Sequence, residues 1–195
     1  MSHYTIPNQP TINKAMASFP ELYPTNNPAA VVFESVLSRE DCTAIVEEMT
    51  KYDIYKHPAC NAITTEHPDP ESTDVFNYIK ALTFYANTLY WDFDYDKNAK
   101  VWMQTYDKTY NSYKSHTDGE YGISRKLTAV VMLEERSMYT GGDLVLDLRK
   151  GEECFAPCEQ GTVIVFVPWL RHEVTPVTSG VRRTINMGFF GPPFK

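Results

Sequence analysis

The chain has 195 residues, 43% hydrophobic and 22% charged, with 13 Tyr, 10 Phe and 3 Trp. That suffices for one domain burying roughly 70% of its unfolded surface, and the composition excludes disorder, collagen and coiled coil. Eighteen Lys and Arg stand against 25 Asp and Glu, a net charge of −7 with no basic cluster, which argues against a nucleic-acid partner. There is neither an apolar run long enough to span a bilayer nor a basic start followed by an apolar stretch, so a soluble, cytoplasmic protein without a membrane partner is expected. Cys42, Cys60, Cys154 and Cys158 are too few for a disulfide scaffold and are read as free thiols.

Residues 1–30 carry Pro7, Pro10, Pro20, Pro24 and Pro28 with no sustained period and read as an extended arm, leaving 31–195 as a single domain. Ser38, with Asp41 three residues on, predicts a capped helix, and Cys42, Ile45, Val46 and Met49 recur at helical spacing behind it. A second helix is predicted over 74–90, with Val75, Ile79, Leu82, Ala86 and Leu89 on one stripe and Asn77, Lys80 and Asn87 off it. Residues 53–72, with His57, Pro58, Pro68 and Pro70, read as a loop. Helical support thus occupies 37–90. From Trp91 the pattern turns to short runs of valine, threonine and aromatics between glycine-bearing turns. Strands are predicted at 91–95, 100–106, 113–118, 126–134, 143–148, 162–167, 171–177 and 181–189, giving a β-core over 91–190. The fold class is mainly β with N-terminal helices, a sandwich or jelly-roll barrel.

His116 and Asp118 form an H-x-D pair, and residues two apart on a strand project to one side. His172 is the only histidine later in the β-region. Together the three supply the two nitrogens and one carboxylate of an Fe(II) facial triad; the competing account is a surface histidine beside a solvated aspartate. Arg182 lies ten residues after His172. If the two segments pair around a turn centred on Val177, both side chains face one side. Arg182 would then offer a carboxylate-binding fork, with Thr184 adding a hydroxyl and Arg183 facing outward.

The ordered set Tyr106, Tyr113, His116-x-Asp118, RKLTAVVMLEE, YTGGDLVL, GTVIVFVP, HEVTPVTSGVRR and GFFGPPF resembles the prolyl 4-hydroxylase-like group of Fe(II)/2-oxoglutarate-dependent dioxygenases over about residues 100–194, its bacterial and phage branch most closely. The resemblance implies a double-stranded β-helix (jelly-roll or cupin-like) with His116, Asp118 and His172 on iron and Arg182 on the far carboxylate of 2-oxoglutarate. Tyr106, Tyr113 and Thr128 are implied to line the same pocket. It further implies O2 as oxidant, ascorbate as accessory reductant, and hydroxylation of a C–H bond with release of succinate and CO2. A prolyl residue of a peptide or protein is the substrate first implied, a free amino acid or other small molecule the alternative. Two positions depart from the group: Met132 stands where a tyrosine is often found, and Gly188 where tryptophan is frequent, which predicts a more open pocket wall.

Other readings fit less well. Nucleic-acid dealkylases resemble R-x-N-x-T-x-R, whose last arginine is Gly188 here; halogenating relatives lack the aspartate that Asp118 supplies. A non-catalytic metal-binding jelly-roll conflicts with an intact His116, Asp118, His172 and Arg182. Zinc on His57, Cys60 and His67 would have an uncommon spacing and no clear fourth ligand.

Overall fold

The computed structural model describes residues 28–57, 60–96, 98–119, 124–147 and 153–194. The predicted N-terminal arm therefore lies almost wholly outside the described residues, as do parts of the expected turns at Gly122 and Gly151. Described structure begins with β1 (Ala30–Phe33), every residue of which is buried. The first helix, α1 (Arg39–Met49), starts at Ser38 with the predicted box: Asp41 N–H donates to the Ser38 hydroxyl, and the Ser38 N–H donates to the Asp41 carboxylate. Cys42, Ile45 and Met49 bury its inner face.

Residues 53–72 correct the expectation of a loop. β2 (Ile54–Lys56) and β3 (Ile63–Glu66) form a hairpin there, followed by a short 3-10 turn at Pro70–Ser72. Its pairing partner is β4 (Ala99–Tyr106), far along the chain and invisible to local pattern.

Helix α2 (Asp74–Tyr90) has the predicted span. Leu89, placed on the apolar stripe, is exposed, whereas Asn87, placed off it, is buried. The Asn87 amide donates to the Phe93 carbonyl and accepts from the Phe93 N–H, both at 3.0 Å. These bonds fold the chain back after the helix, with Asp92 at φ 51, so residues 91–95 form no strand.

The remaining strands are β5 (Tyr113–His116), β6 (Arg125–Met132), β7 (Tyr139–Gly141), β8 (Leu144–Asp147), β9 (Glu153–Phe155), β10 (Val163–Phe166), β11 (Arg171–Val174), β12 (Val177–Gly180) and β13 (Arg182–Phe190). They form a large antiparallel sheet, ordered β1-β10-β6-β13-β4-β3-β2, a smaller sheet β5-β11-β8-β9, and a β12-β7 ribbon. The predicted β11–β13 hairpin is absent. Strand β11 is already paired on both edges, with β5 and β8, and β12 pairs instead with β7, with Gly141 and Gly180 at positive φ where backbone crosses backbone. His172 and Arg182 consequently lie on different sheets, β11 beside β5 and β8 and β13 between β4 and β6. The space between these sheets forms the site.

Candidate active site

His116 ends β5 and lies directly opposite His172 on β11, with ring centroids 4.2 Å apart. Strand β5 stops two residues short of the predicted end, and Asp118 occupies the following turn, its N–H donating to the Pro168 carbonyl at 2.8 Å. One ligand atom from each of His116, Asp118 and His172 falls within a 4.8 Å cluster. Among the described residues no other such group of three occurs, so His57, Cys60 and His67 do not assemble. His67 is buried elsewhere, accepting from the Asp69 N–H.

The histidine hydrogen bonds fix which nitrogen can bind a metal. His116 Nδ1 lies 2.8 Å from the Lys114 carbonyl oxygen and His172 Nδ1 lies 2.9 Å from that of Leu170. A carbonyl only accepts, so each Nδ1 carries the proton and each Nε2 presents a lone pair. Burial pushes the His172 imidazole down to about 4 against the opposing pull of Asp118, which keeps it neutral near pH 7. Burial pushes the Asp118 carboxyl up, but Arg125, His172, the Thr128 hydroxyl and His116 together outweigh it and hold the group below the usual carboxylate range. Two neutral imidazoles and one carboxylate are a donor set that suits Fe(II). Arg125 Nη1 donates to Asp118 Oδ1 at 2.9 Å, and Thr128 Oγ1 donates to the other oxygen.

The facing floor of the pocket is the large sheet. Its register aligns Thr64, Gln104, Thr184 and Met132 in one transverse row, and Trp102, Asn186 and Val130 in the next. Arg182 stands beyond the first row, opposite Tyr106. It is 2% exposed, its guanidinium lies 5.3 Å from the Tyr106 ring centroid, and Nη2 reaches Met132 Sδ at 3.7 Å. Its Nε and Nη1 are buried without a hydrogen-bond partner among the described residues, as is Thr64 Oγ1. Leaving such donors unmet is costly, so they fit an anionic ligand group. Gly142, at φ +66, lets Arg182 pass: an added Cβ would lie 2.8 Å from Arg182 Cδ.

The predicted site residues divide between wall and support. His116, Asp118, His172, Arg182, Tyr113, Thr128 and Thr184 all line this pocket. Tyr113 stacks on His116, centroids 3.9 Å apart. Tyr106 is fully buried behind Arg182, and its hydroxyl donates to Gln104 Oε1 at 2.7 Å. Arg183 faces outward in an ion pair with Glu134. The expected opening at Gly188 is filled: an added Cβ would lie 3.1 Å from the Phe190 ring and 3.2 Å from that of Trp102. The aromatic bulk comes from Phe190 on the same strand and Trp102 on the neighbouring one.

Arg125, Trp102, Gln104, Asn186 and Thr64 also line the pocket and were not singled out from the sequence, and His57, weighed there only as a zinc ligand, lines it too. The alternation that placed Thr184 beside Arg182 reaches Asn186 one step further, and the same step back from Tyr106 reaches Gln104 and Trp102. Arg125 had no comparable local signal.

Residues 101–191 match the 2OG-Fe(II) oxygenase superfamily. A PKHD-type hydroxylase from Shewanella oneidensis is 32% identical over 77 residues, which are 40% of this chain and 33% of that protein, so the match spans about a third of the relative's length. Among solved structures, a Pseudomonas putida prolyl-4-hydroxylase superposes with TM-score 0.69 at 18% identity, over 84% of this chain and 93% of that one. A Trichoplax adhaerens prolyl hydroxylase, solved with a hypoxia inducible factor peptide fragment, gives 0.67 at 13% identity over 83% of each chain. These likenesses establish the fold as a double-stranded β-helix. The His116, Asp118 and His172 cluster and the buried Arg182 all stand inside the segment, residues 101–191, that matches the 2OG-Fe(II) oxygenase superfamily.

Proposed function

We propose that this protein is an Fe(II)- and 2-oxoglutarate-dependent dioxygenase that hydroxylates a prolyl residue of a peptide or protein in the cytoplasm. The observation that carries the reading is the pairing, across one pocket, of the His116/Asp118/His172 cluster with a buried Arg182 whose Nε and Nη1 lack partners. His116 Nε2, His172 Nε2 and the Asp118 carboxylate would hold the metal, and Arg182 with Thr184 would hold the far carboxylate of 2-oxoglutarate. Fe(II), when bound, supplies the oxidising chemistry: O2 and 2-oxoglutarate are consumed, one oxygen atom enters a substrate C–H bond, the other enters succinate, and CO2 is released. Ascorbate belongs to the same proposal as a reductant keeping the metal Fe(II).

The chain's own contribution is placement. The Nδ1 bonds to Lys114 and Leu170 lock both rings, and Thr128 and Arg125 orient the carboxylate. Tyr106 and Gly142 support Arg182 from beneath and beside. Prolyl chemistry is favoured over a small-molecule substrate by the two prolyl hydroxylase likenesses.

Incubation of the protein with Fe(II), 2-oxoglutarate, ascorbate and a proline-containing peptide library, read by mass spectrometry, tests this. The reading predicts peptides gaining one oxygen atom at proline, with equimolar succinate. Oxygen gained only by small molecules, or peptide oxidation that persists without 2-oxoglutarate, would overturn it.

A further inference from the structure

The pocket has a second cationic end. Arg125 stands at the opposite end of the floor from Arg182, on β6 opposite Phe190 of β13. Its guanidinium packs 5.6 Å from the Trp102 ring centroid and 5.4 Å from that of Phe190. One nitrogen is committed to Asp118, while Nε is buried without a hydrogen-bond partner among the described residues. Asn186, the cross-strand neighbour of Trp102, likewise buries an Nδ2 that has no hydrogen-bond partner among the described residues. Lys100 also lies by Phe190, its Nζ 5.9 Å from the ring centroid.

Charge then limits what this end can take. With a divalent metal bound, Arg182 is cancelled by the far carboxylate of 2-oxoglutarate. The near carboxylate and Asp118 offset the metal, which leaves the Arg125 charge uncompensated in a partly desolvated pocket. Such a charge favours an anionic partner over a neutral one. The free Nε and the Asn186 amide are donors suited to carboxylate oxygens, and the Trp102 and Phe190 rings offer an apolar wall beside them.

We propose that the Arg125 end of the pocket receives a carboxylate of the primary substrate, so that the hydroxylated residue is the carboxy-terminal one of a peptide and not an internal one. The assignment rests on the dioxygenase reading for the contents of the other end. Trp102 is the specificity-determining wall and Arg125 the specificity-determining charge.

The test is binding, independent of turnover. Protein loaded with Mn(II) and 2-oxoglutarate is titrated with N-acetyl-L-proline, its neutral methylamide and N-acetylglycine, and paramagnetic broadening of the ligand NMR signals reports occupancy. The acid of proline is expected to bind at least about tenfold more tightly than its amide, in line with a charge-assisted bond. Arg125→Gln should abolish that preference and Arg125→Lys should restore part of it. Equal binding of acid and amide, a preference that survives Arg125→Gln, or no saturable binding of either acid at millimolar concentration would overturn the proposal. The wild-type comparison decides even if Arg125→Gln no longer retains Mn(II). If N-acetylglycine binds as tightly as N-acetyl-L-proline, the carboxylate assignment stands and the prolyl reading fails. If acid and amide bind equally and both are hydroxylated, the prolyl reading stands and the carboxylate assignment fails.

Discussion

The two sheets that enclose the pocket are built to different standards. The small sheet brings His116 and His172 on four-residue strands, with the histidines paired across one register position next to an irregularity at His172/Val174. The large sheet carries Arg182, Thr184 and Thr128, all three buried, on strands of eight and nine residues. Ligand geometry on the small sheet comes from short-range ties: each ring bonds the carbonyl two residues before it. Carboxylate geometry on the large sheet comes from packing, with Arg182 wedged among Tyr106, Met132 and Gly142. Metal ligation should therefore be separable from folding, whereas co-substrate binding should be entangled with the core.

The strongest way to break this contrast is at the ligands. His116→Ala, Asp118→Ala and His172→Ala should each remove stoichiometric metal binding while leaving the far-ultraviolet circular dichroism spectrum unchanged; metal analysis of the purified variants checks it. Full metal retention in all three would remove the triad.

Next in size is Arg182→Ala. Truncating one member of a buried charge pair costs about 2 to 5 kcal/mol, so the dissociation constant of 2-oxoglutarate should rise by at least about thirtyfold. Arg183→Ala breaks only its partly exposed pair with Glu134 and should leave that constant within about threefold of wild type. Calorimetric titration of both variants makes the comparison.

Smaller and of mixed character is Gly188→Trp. Because the Phe190 and Trp102 rings already fill the space, overpacking should lower stability by about 1 to 3 kcal/mol, seen as a fall in Tm, with metal binding retained. An unchanged Tm would mean that the wall yields without strain.

Smallest is Ser38→Ala, which deletes the α1 cap far from both ends of the pocket. A loss of about 1 kcal/mol in denaturant unfolding, with metal and 2-oxoglutarate affinities untouched, would show that helix and site are independent.

The same contrast explains what the sequence made legible. The helices were readable from local signals: Ser38 and Asp41 lie three residues apart at the α1 cap, and the α2 stripe keeps its period from Val75 to Ala86. The candidate metal cluster was readable in part because H-x-D is local too, although Asp118 projects from a turn and not from the strand. Sheet partners were not. His172 and Arg182 share the pocket, as expected, yet they reach it from facing sheets and not as neighbours in a hairpin. The β12–β7 ribbon, formed by residues nearly forty positions apart, decides that outcome. Arg125 was missed for a similar reason, since its partners Asp118, Trp102 and Phe190 come from a turn and two other strands.

The central claim is that metal and co-substrate share one pocket, the metal held by His116, Asp118 and His172 and the far carboxylate by Arg182. Calorimetric titration of 2-oxoglutarate into the wild-type protein with and without one equivalent of Mn(II) tests this most directly. The account predicts one-to-one binding that depends on the metal and is abolished in His172→Ala. Binding of equal strength in the metal-free protein, or in His172→Ala, would contradict it.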